Sequence, residues 1–449
     1  MTIHYGLREA GFQRVSVFRS PPNGAPDLEH DERDIVDAFR VMGAAERGAV
    51  IGLSTTSDEA YKFPVLSRLL RKTFPDAQII AGGVHFYRDR IEGHDDFVAT
   101  ALLQGLADAV QVGHAQGFID LIAKHHGDRE RVNAPGFYQL AGRSQQLVGS
   151  GVGRYPLLAS IPHDYDHAGR QLSVMLKDVC RNRCDFCTAA LGTSPIFSPE
   201  VAIEGLRQLL DRYRPVRFRL LDSNPFDAHD MDYYAEIFEA MDRERETLKA
   251  VFLNPGLLVA RDDRTRLLKF FRKHRVIRFF SGRDAVVESS ARAMGSRYHG
   301  RLKSQTQLDA EGDALVDFLW RIKAHDAAAP QSLIASYIVT PFETARSAQA
   351  ILDDIDALAV LVDEKLSVNA GPFPLMPYPG TALRRARSSH IDLAEHEFHK
   401  TTNGTIAPWK RDAGPSIPLM MDLWNKIHMG DDSTHYMRHL REAIARMFG

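Results

Sequence analysis

Long apolar runs are missing from this sequence. No stretch approaches the ~18 consecutive apolar residues that span a bilayer. The opening segment MTIHYGLREAGFQRV lacks the apolar core of a signal peptide. A soluble, cytoplasmic protein without a membrane partner is therefore expected. Charge of one sign is missing too. Lys+Arg number 56 against 58 Asp+Glu, a formal net charge of -2. Such balance argues against a polyanion-coating protein, so no nucleic-acid partner is expected, although a local basic groove stays open. Glycine (32) and proline (22) are at ordinary levels for 449 residues, which excludes collagen-like repetition and broad disorder. Cysteine is scarcest. With only three, a disulfide framework is excluded.

Those three cysteines all fall in one short stretch, Cys180-Arg181-Asn182-Arg183-Cys184-Asp185-Phe186-Cys187, a C-x3-C-x2-C spacing. Soft sulfur ligands on one loop select zinc or an iron–sulfur cluster. A cubane cluster usually takes four thiolates, and here no fourth cysteine exists. A four-iron cluster on this loop would leave one iron open to another ligand. Open coordination implies chemistry rather than structure, as it does at zinc. The structural alternative is a Cys3His zinc site completed by His163 or His167, although the spacing is unlike paired C-x2-C knuckles.

The chain around the loop reads as alternating strands and helices. Leu172–Leu176 is a short apolar run just before the cysteines. Ser198-Pro199 starts a helix, with serine as N-cap and proline at the first helical position. Val201, Leu206, Leu209 and Leu210 form its expected apolar stripe. Val216, Phe218 and Leu220 alternate with Arg217 and Arg219, a strand pattern. Further strands are expected at Ala250–Leu253, Val276–Phe280, Leu333–Val339 and Leu366–Asn369, with helices between them. This is a parallel α/β architecture whose active site belongs at the carboxyl ends of the strands. The first 150 residues also read as α/β, with strands at Val15–Phe18, Ala49–Leu53, Ala77–Ala81 and Ala109–Val112. Helical segments are expected at Asp34–Val41, Phe63–Phe74 and Ile119–Ala123, the pattern of a doubly wound sheet. Small polar residues and glycines follow its strands: Ser54, Thr55 and Thr56; Gly82 and Gly83; Gly113 and His114. Glycine there permits close backbone approach by a bulky ligand.

C-x3-C-x-aromatic-C, with Phe186 at the aromatic position, resembles the signature of the radical S-adenosylmethionine (SAM) superfamily. Several later segments agree in order. Asp222-Ser223-Asn224-Pro225-Phe226 resembles the D-x-N-F pattern of its cobalamin-dependent members. Ser281-Gly282-Arg283-Asp284 resembles their S-G-S-D segment. Ile338 to Thr344 is similar to I-x-G-x-P-x-E-T, with Thr340 in place of glycine, and Pro377 to Thr381 to P-x-P-G-T. In the first 150 residues, Ile79 to His85 and Asp108 to Gly113 resemble the cobalamin-binding domain fused before such barrels. Pro135 to Leu140 with Gln146 to Val148 resembles the family's small hairpin. The likeness runs from about residue 10 to 385.

The resemblance implies a fold of three parts. A doubly wound, Rossmann- or flavodoxin-like cobalamin-binding domain occupies 1–150, a partial (β/α)6 TIM-type barrel 160–388, and a helical extension 389–449. It implies three cofactors: a [4Fe-4S] cluster on Cys180, Cys184 and Cys187, SAM on its open iron, and cobalamin. For SAM it implies contacts from Phe186, Asp222 (to the amino group), Asn254, Ser281 (near the ribose), Arg283 (to the carboxylate) and Pro341 (beside the adenine). An N-cap role is the structural alternative for Asp222. For cobalamin it implies Ser54, Thr55, Thr56, Gly82, Gly83, Gly113 and His114; there is no D-x-H-x-x-G motif to supply a lower axial histidine. The implied activity is methylation of an unactivated carbon in a small-molecule substrate, with electrons from an external flavodoxin or ferredoxin. A non-methylating rearrangement, cyclisation or redox reaction is the alternative, and a non-catalytic metal scaffold a third. In the remaining tail, Arg384, Arg385 and Arg387 read as a solvated helix face, Tyr436 to Phe448 as an amphipathic helix, and six histidines as ordinary surface or pocket residues.

Overall fold

Residues 331–339 alternate between buried and half-buried without a break, as a strand does when one face lies on a core. The computed structural model describes residues 28–46, 49–54, 62–83, 86, 96–112, 137–141, 146–148, 171–177, 180–191, 197–215, 217–227, 230–244, 247–324, 330–378, 381–391, 409–410, 412–420, 441–442 and 445. The chain forms two compact units, 1–164 with 377–410, and 165–376 with 411–449. The stretch 377–388, expected in the second domain, thus groups with the first unit, and residues from 411 onward group with the second.

In the first unit, β1 (Val50–Ser54), β2 (Gln78–Gly82) and β3 (Ala109–Gln111) are parallel neighbours. The hairpin of β4 (Phe137–Ala141) and β5 (Gln146–Val148) continues the sheet antiparallel, in the order β1-β2-β3-β4-β5. The helices Lys62–Thr73 and Asp96–Leu103 lie on one face. Phe63, Phe86 and Phe97 cluster there, with ring centroids 4.9 to 6.1 Å apart. A doubly wound sheet needs a reversal of strand order, and among the described residues there is none. The expected strand Val15–Phe18 and helical segment Ile119–Ala123 lie outside the described residues.

The second unit holds a six-stranded sheet, all parallel, running β6 (Gln171–Val174), β7 (Arg217–Leu220), β8 (Leu248–Leu253), β9 (Val276–Asp284), β12 (Gln331–Val339), β13 (Leu366–Pro374). Between β9 and β12 the chain forms a small antiparallel ribbon, β10 (Arg297–Tyr298) and β11 (Arg301–Leu302). Strands added in sequence order by right-handed crossovers keep their helices on one side. Packing agrees. Phe218 of β7 meets Phe238 of helix Met231–Glu244 at 6.1 Å. Phe279 of β9 stacks on Phe271 of helix Arg261–Lys273 at 5.2 Å and meets Phe318 of helix Gln305–Lys323 at 6.2 Å. The intervening residues of each strand face the other way. Arg219, Arg278, Phe280 and Ile338 are only partly buried there, Arg217 is exposed, and Phe373 is 42% exposed. Among the described residues this is the less covered face of the sheet.

Local signals explain the helices. Ser198 caps helix Pro199–Tyr213 by accepting the Val201 N–H, with proline in the first turn. That cap sets the phase so that Ala202, Leu206, Leu209 and Leu210 face the core. Val201, expected in the stripe, lies one position off it and is 45% exposed. Thr344 and Ser347 form a reciprocal capping box at helix Ala345–Ala359. Arg384 is buried rather than solvated, and donates to the Pro377 carbonyl at 3.3 Å. No helix of the described residues is long and apolar enough to cross a membrane.

The aromatic seam between sheet and helices should dominate the stability of the second unit. Phe279→Ala removes a fully buried ring that contacts two helices, and should cost about 3–5 kcal/mol. A lowered urea midpoint checks this.

Candidate functional site

The cysteine loop leaves the carboxyl end of β6, the first strand of the parallel sheet. Cys180, Cys184 and Cys187 are free thiols, each partly buried. The loop has little regular structure of its own. Arg183 takes a left-handed conformation (φ 53°), and the Cys187 N–H closes a turn onto the Cys184 carbonyl at 3.1 Å. Among the described residues no three His, Cys, Asp or Glu side chains gather as a single-ion site requires.

The loop is held from outside, by the segment that follows helix Glu288–Met294. Arg297 donates to both carboxylate oxygens of Asp185 at 3.0 Å. The Asp185 N–H donates to the Gly295 carbonyl at 2.9 Å. Buried Asn182 accepts the His299 N–H on its side chain (3.1 Å) and the Gly300 N–H on its carbonyl (3.2 Å). The Arg297 N–H donates to the Cys184 sulfur at 3.2 Å. Gly295 has φ 69°, and a Cβ there would come within 2.3 Å of the Asp185 carboxylate. Only glycine fits both the turn and the contact.

Charge and burial act on the thiols together. Burial pushes both Cys180 and Cys184 up, and the charge of Asp284 pushes in the same direction. Backbone N–H groups of Asn182 and Arg183 oppose this at Cys180, and that of Arg297 at Cys184. Lys177 at Cys180 and Lys303 at Cys184 also favour the thiolate, and ligation by a metal would favour it further.

Sequence-expected residues divide into three groups. Some are committed to the scaffold. Asp222 shares the helix-facing side of β7 with Phe218 and Leu220. One oxygen accepts the Leu176 N–H at 2.7 Å and the other the Tyr234 hydroxyl at 2.6 Å. Desolvation raises its carboxyl to about 6, against these hydrogen bonds and the nearby Lys177. With a hydrogen bond to each oxygen, Asp222 joins the loop base to a helix. Arg283 is likewise committed. It forms a two-point ion pair with Asp354 (3.1 and 2.8 Å) and donates to the Leu308 carbonyl at 3.0 Å. The register with β12 shifts beside it, between Ser336 and Tyr337. Ser281 is buried with an unpartnered hydroxyl, on the same side of β9 as Phe279, while Gly282 takes the open side. The Asn254 side chain accepts the Gly256 N–H at 2.9 Å and turns the chain into helix Gly256–Val259.

A second group stands near the strand ends. Phe186 is partly buried within the cysteine loop. Pro341 follows β12, and its carbonyl accepts the Ser416 N–H at 3.1 Å. Thr340, which stands where glycine was expected, bonds Glu343 at 2.8 Å, and Ser416 donates to the Thr340 carbonyl at 2.9 Å. The loop is thus stitched to residues 414–416. In the first unit, Ser54 and Gly82 pair at the level ends of β1 and β2. Ser54 is exposed, Gly83 has φ 107°, and a Cβ on Gly82 would lie 3.1 Å from the Gln111 carbonyl. Thr55, Thr56, Gly113 and His114 lie outside the described residues.

Asn224 was not expected as a contact. It follows β7, is 1% exposed, and neither its carbonyl nor its amide group has a partner. Nearby Asp227 is fully buried with neither oxygen hydrogen-bonded; Arg181 of the cysteine loop lies 3.8 Å away. Buried polar groups are nearly always satisfied, so a wholly orphaned carboxamide at a strand end is a fitting partner for a polar ligand.

No protein-family model and no curated protein matches the sequence. Solved structures do match. The radical SAM methyltransferase TsrM from Kitasatospora setae, solved with cobalamin and a [4Fe-4S] cluster bound, aligns with a TM-score of 0.59 at 12% identity, over 99% of this chain and 96% of its own. The cobalamin-dependent SAM radical enzyme OxsB aligns in its apo form with a TM-score of 0.57 at 12% identity, over 92% of this chain and 65% of its own. With aqua-cobalamin bound it aligns with a TM-score of 0.50 at 13% identity, over 82% and 50%. The chain therefore spans nearly the whole of TsrM and between half and two thirds of OxsB. It has the mixed α/β fold, with parallel sheets, of these cobalamin-dependent radical SAM enzymes.

The clamp on the cysteine loop makes a specific prediction. Gly295→Ala should displace Asp185 and lower the metal retained per chain after reconstitution, more than Asp185→Asn does. Metal content measured alongside far-UV circular dichroism checks this.

Proposed function

We propose that the protein is a cobalamin-dependent radical SAM enzyme that methylates an unactivated carbon of a small metabolite or natural-product intermediate. One observation carries this reading. A three-cysteine loop at the carboxyl end of the first strand of a six-stranded parallel sheet is clamped by a later segment, and the unpartnered Asn224 stands at the end of the next strand. Three thiolates and no fourth suit a [4Fe-4S] cluster with one open iron.

In this reading Cys180, Cys184 and Cys187 would hold the cluster and leave one iron for SAM. When bound, the cluster and SAM would supply one-electron cleavage of a carbon–sulfur bond, and cobalamin would carry the methyl group. The chain's own residues position and shield. Asp185, Asn182, Gly295 and Arg297 hold the loop, and the Arg297 N–H stabilises negative charge on the Cys184 sulfur. Asn224 offers an acceptor and donors to the polar end of SAM, and Phe186, Asn254 and Pro341 border the same strand ends. Asp222 and Arg283 act as positioning residues through their scaffold partners. Ser281 is on the helix-facing side of its strand, where Gly282 leaves backbone open to the ligand instead. In the first unit, exposed Ser54 and half-buried Gly82 and Gly83 provide level strand ends with little side-chain bulk, as a corrin ring needs, and Thr55, Thr56, Gly113 and His114 complete that loop cluster in sequence. TsrM, a methyltransferase with the same fold, supports methyl transfer over other cobalamin chemistry. An external flavodoxin or ferredoxin supplies the electron.

Anaerobic reconstitution with iron, sulfide and cobalamin tests this reading. It should give about four irons and one cobalt per chain, SAM cleavage on reduction, and no cleavage in Cys184→Ala. Zinc in place of iron, or undiminished cleavage by that variant, would overturn it.

A further inference from the structure

The open face of the six-stranded sheet has an unusual charge pattern. Its positions alternate with those that pack on helices: Arg217, Arg219 and Leu221 on β7; Leu248, Ala250 and Phe252 on β8; Arg278, Phe280 and Gly282 on β9. Gln171 and Ser173 of β6, Ser332, Ile334, Ser336 and Ile338 of β12, and Ser367, Asn369, Gly371 and Phe373 of β13 extend it. These positions hold three arginines; the one carboxylate that comes to them is that of Asp284 at the end of β9, 3.0 Å from where a Cβ on Gly282 would stand. Arg219 and Arg278 pair in register with the same residue, Ala250, from its two sides, and Arg278 pairs onward with Ser332. The Arg219 guanidinium lies 4.3 Å over the ring of Phe280, two residues beyond Arg278 on β9. Both arginines are partly buried, and neither has an ion pair among the described residues. Burial lowers the Arg219 pKa, and the charge of Arg278 lowers it further.

The same molecule shows what a structural arginine looks like here. Arg283, nearly fully buried, has a two-point carboxylate partner and a backbone carbonyl. Arg219 and Arg278 instead repel each other in a partly desolvated place, with only an aromatic ring beneath one of them. Such an arrangement is unfavourable until an anion joins it. Guanidinium groups are suited to two-point binding of carboxylate and phosphate oxygens.

We propose that Arg219 and Arg278 form a preformed site for an anionic group, a carboxylate or phosphate, on the substrate. This rests on the enzymatic reading above and adds the substrate's chemical class. SAM also has a carboxylate, but its ammonium and sulfonium groups make it a net cation, which the Arg219–Arg278 pair disfavours as a whole. The substrate is then an acid held by its charged end below the carboxyl ends of the strands, with its carbon skeleton directed along the apolar side chains Phe252, Phe280 and Ile338 toward those ends.

Calorimetric titration of the full, cluster-reconstituted chain with inorganic phosphate tests the site. The native protein should bind phosphate, and Arg219→Gln and Arg278→Gln should each weaken binding at least about tenfold. Arg219→Lys and Arg278→Lys keep the charge without the two-point geometry. They should retain part of the affinity, and they serve as the test if a glutamine variant fails to fold. Phosphate should also bind with SAM already in place. Absence of phosphate binding, or native affinity in the glutamine variants, would overturn the proposal. Mutual exclusion of phosphate and SAM would overturn it too, assigning the pair to SAM's own carboxylate. A chain that binds phosphate through both arginines yet cleaves no SAM would keep the anion site and remove the radical reading. SAM cleavage without phosphate binding would do the reverse.

Discussion

The site depends on a clamp between two segments far apart in sequence. Eight residues carrying three cysteines have no helix or strand of their own to fix them, and bare thiols cannot hold each other. Asp185 and Arg297, 112 residues apart, supply that constraint through two parallel hydrogen bonds at 3.0 Å. Gly295 permits the approach, and Asn182 anchors the loop at a second point. The pair is partly exposed, so its Coulomb energy alone is modest. Its value is geometric: two-point ion pairs fix orientation as well as distance. The same segment also places an N–H on the Cys184 sulfur, so the residues that hold the loop act on its charge too.

The sheet supplies the rest of the constraint. Because its six strands are added in sequence order, the helices collect on one side. Aromatic packing on that side is dense around Phe271, Phe279 and Phe318. The opposite side is left partly exposed and bears charge. A protein that needed only stability would cover such a face with apolar residues. Unpaired arginines and an orphaned Asn224 oppose folding slightly, and residues of this kind concentrate where ligands bind.

Much of this was legible in the sequence, for identifiable reasons. The parallel strands showed themselves because each has a helix-facing row of apolar residues, as Phe218 and Leu220 do. The cysteine loop showed itself because cysteine occurs nowhere else. The Ser198-Pro199 helix start was readable because a cap is local. What depended on partners was not legible. Asp222 and Arg283 have the expected residue types beside the expected motifs, and they also bond Tyr234 and Asp354, partners that nothing in a linear pattern announces. Val201 fell off its expected stripe because two neighbouring phases suit the same apolar residues. The ribbon β10–β11 was missed because two-residue strands have no periodicity. Arg217 and Arg219 were visible as the polar half of a strand, but their lack of counter-charges belongs to tertiary structure alone.

The central claim is that the loop carries a cluster whose open iron takes SAM. Electron–nuclear double resonance on the reduced, reconstituted protein tests it most directly, using SAM labelled with nitrogen-15 at the amino group and oxygen-17 at the carboxylate. The account predicts hyperfine coupling from both labels to the cluster. A well-formed cluster that shows coupling from neither label would contradict it.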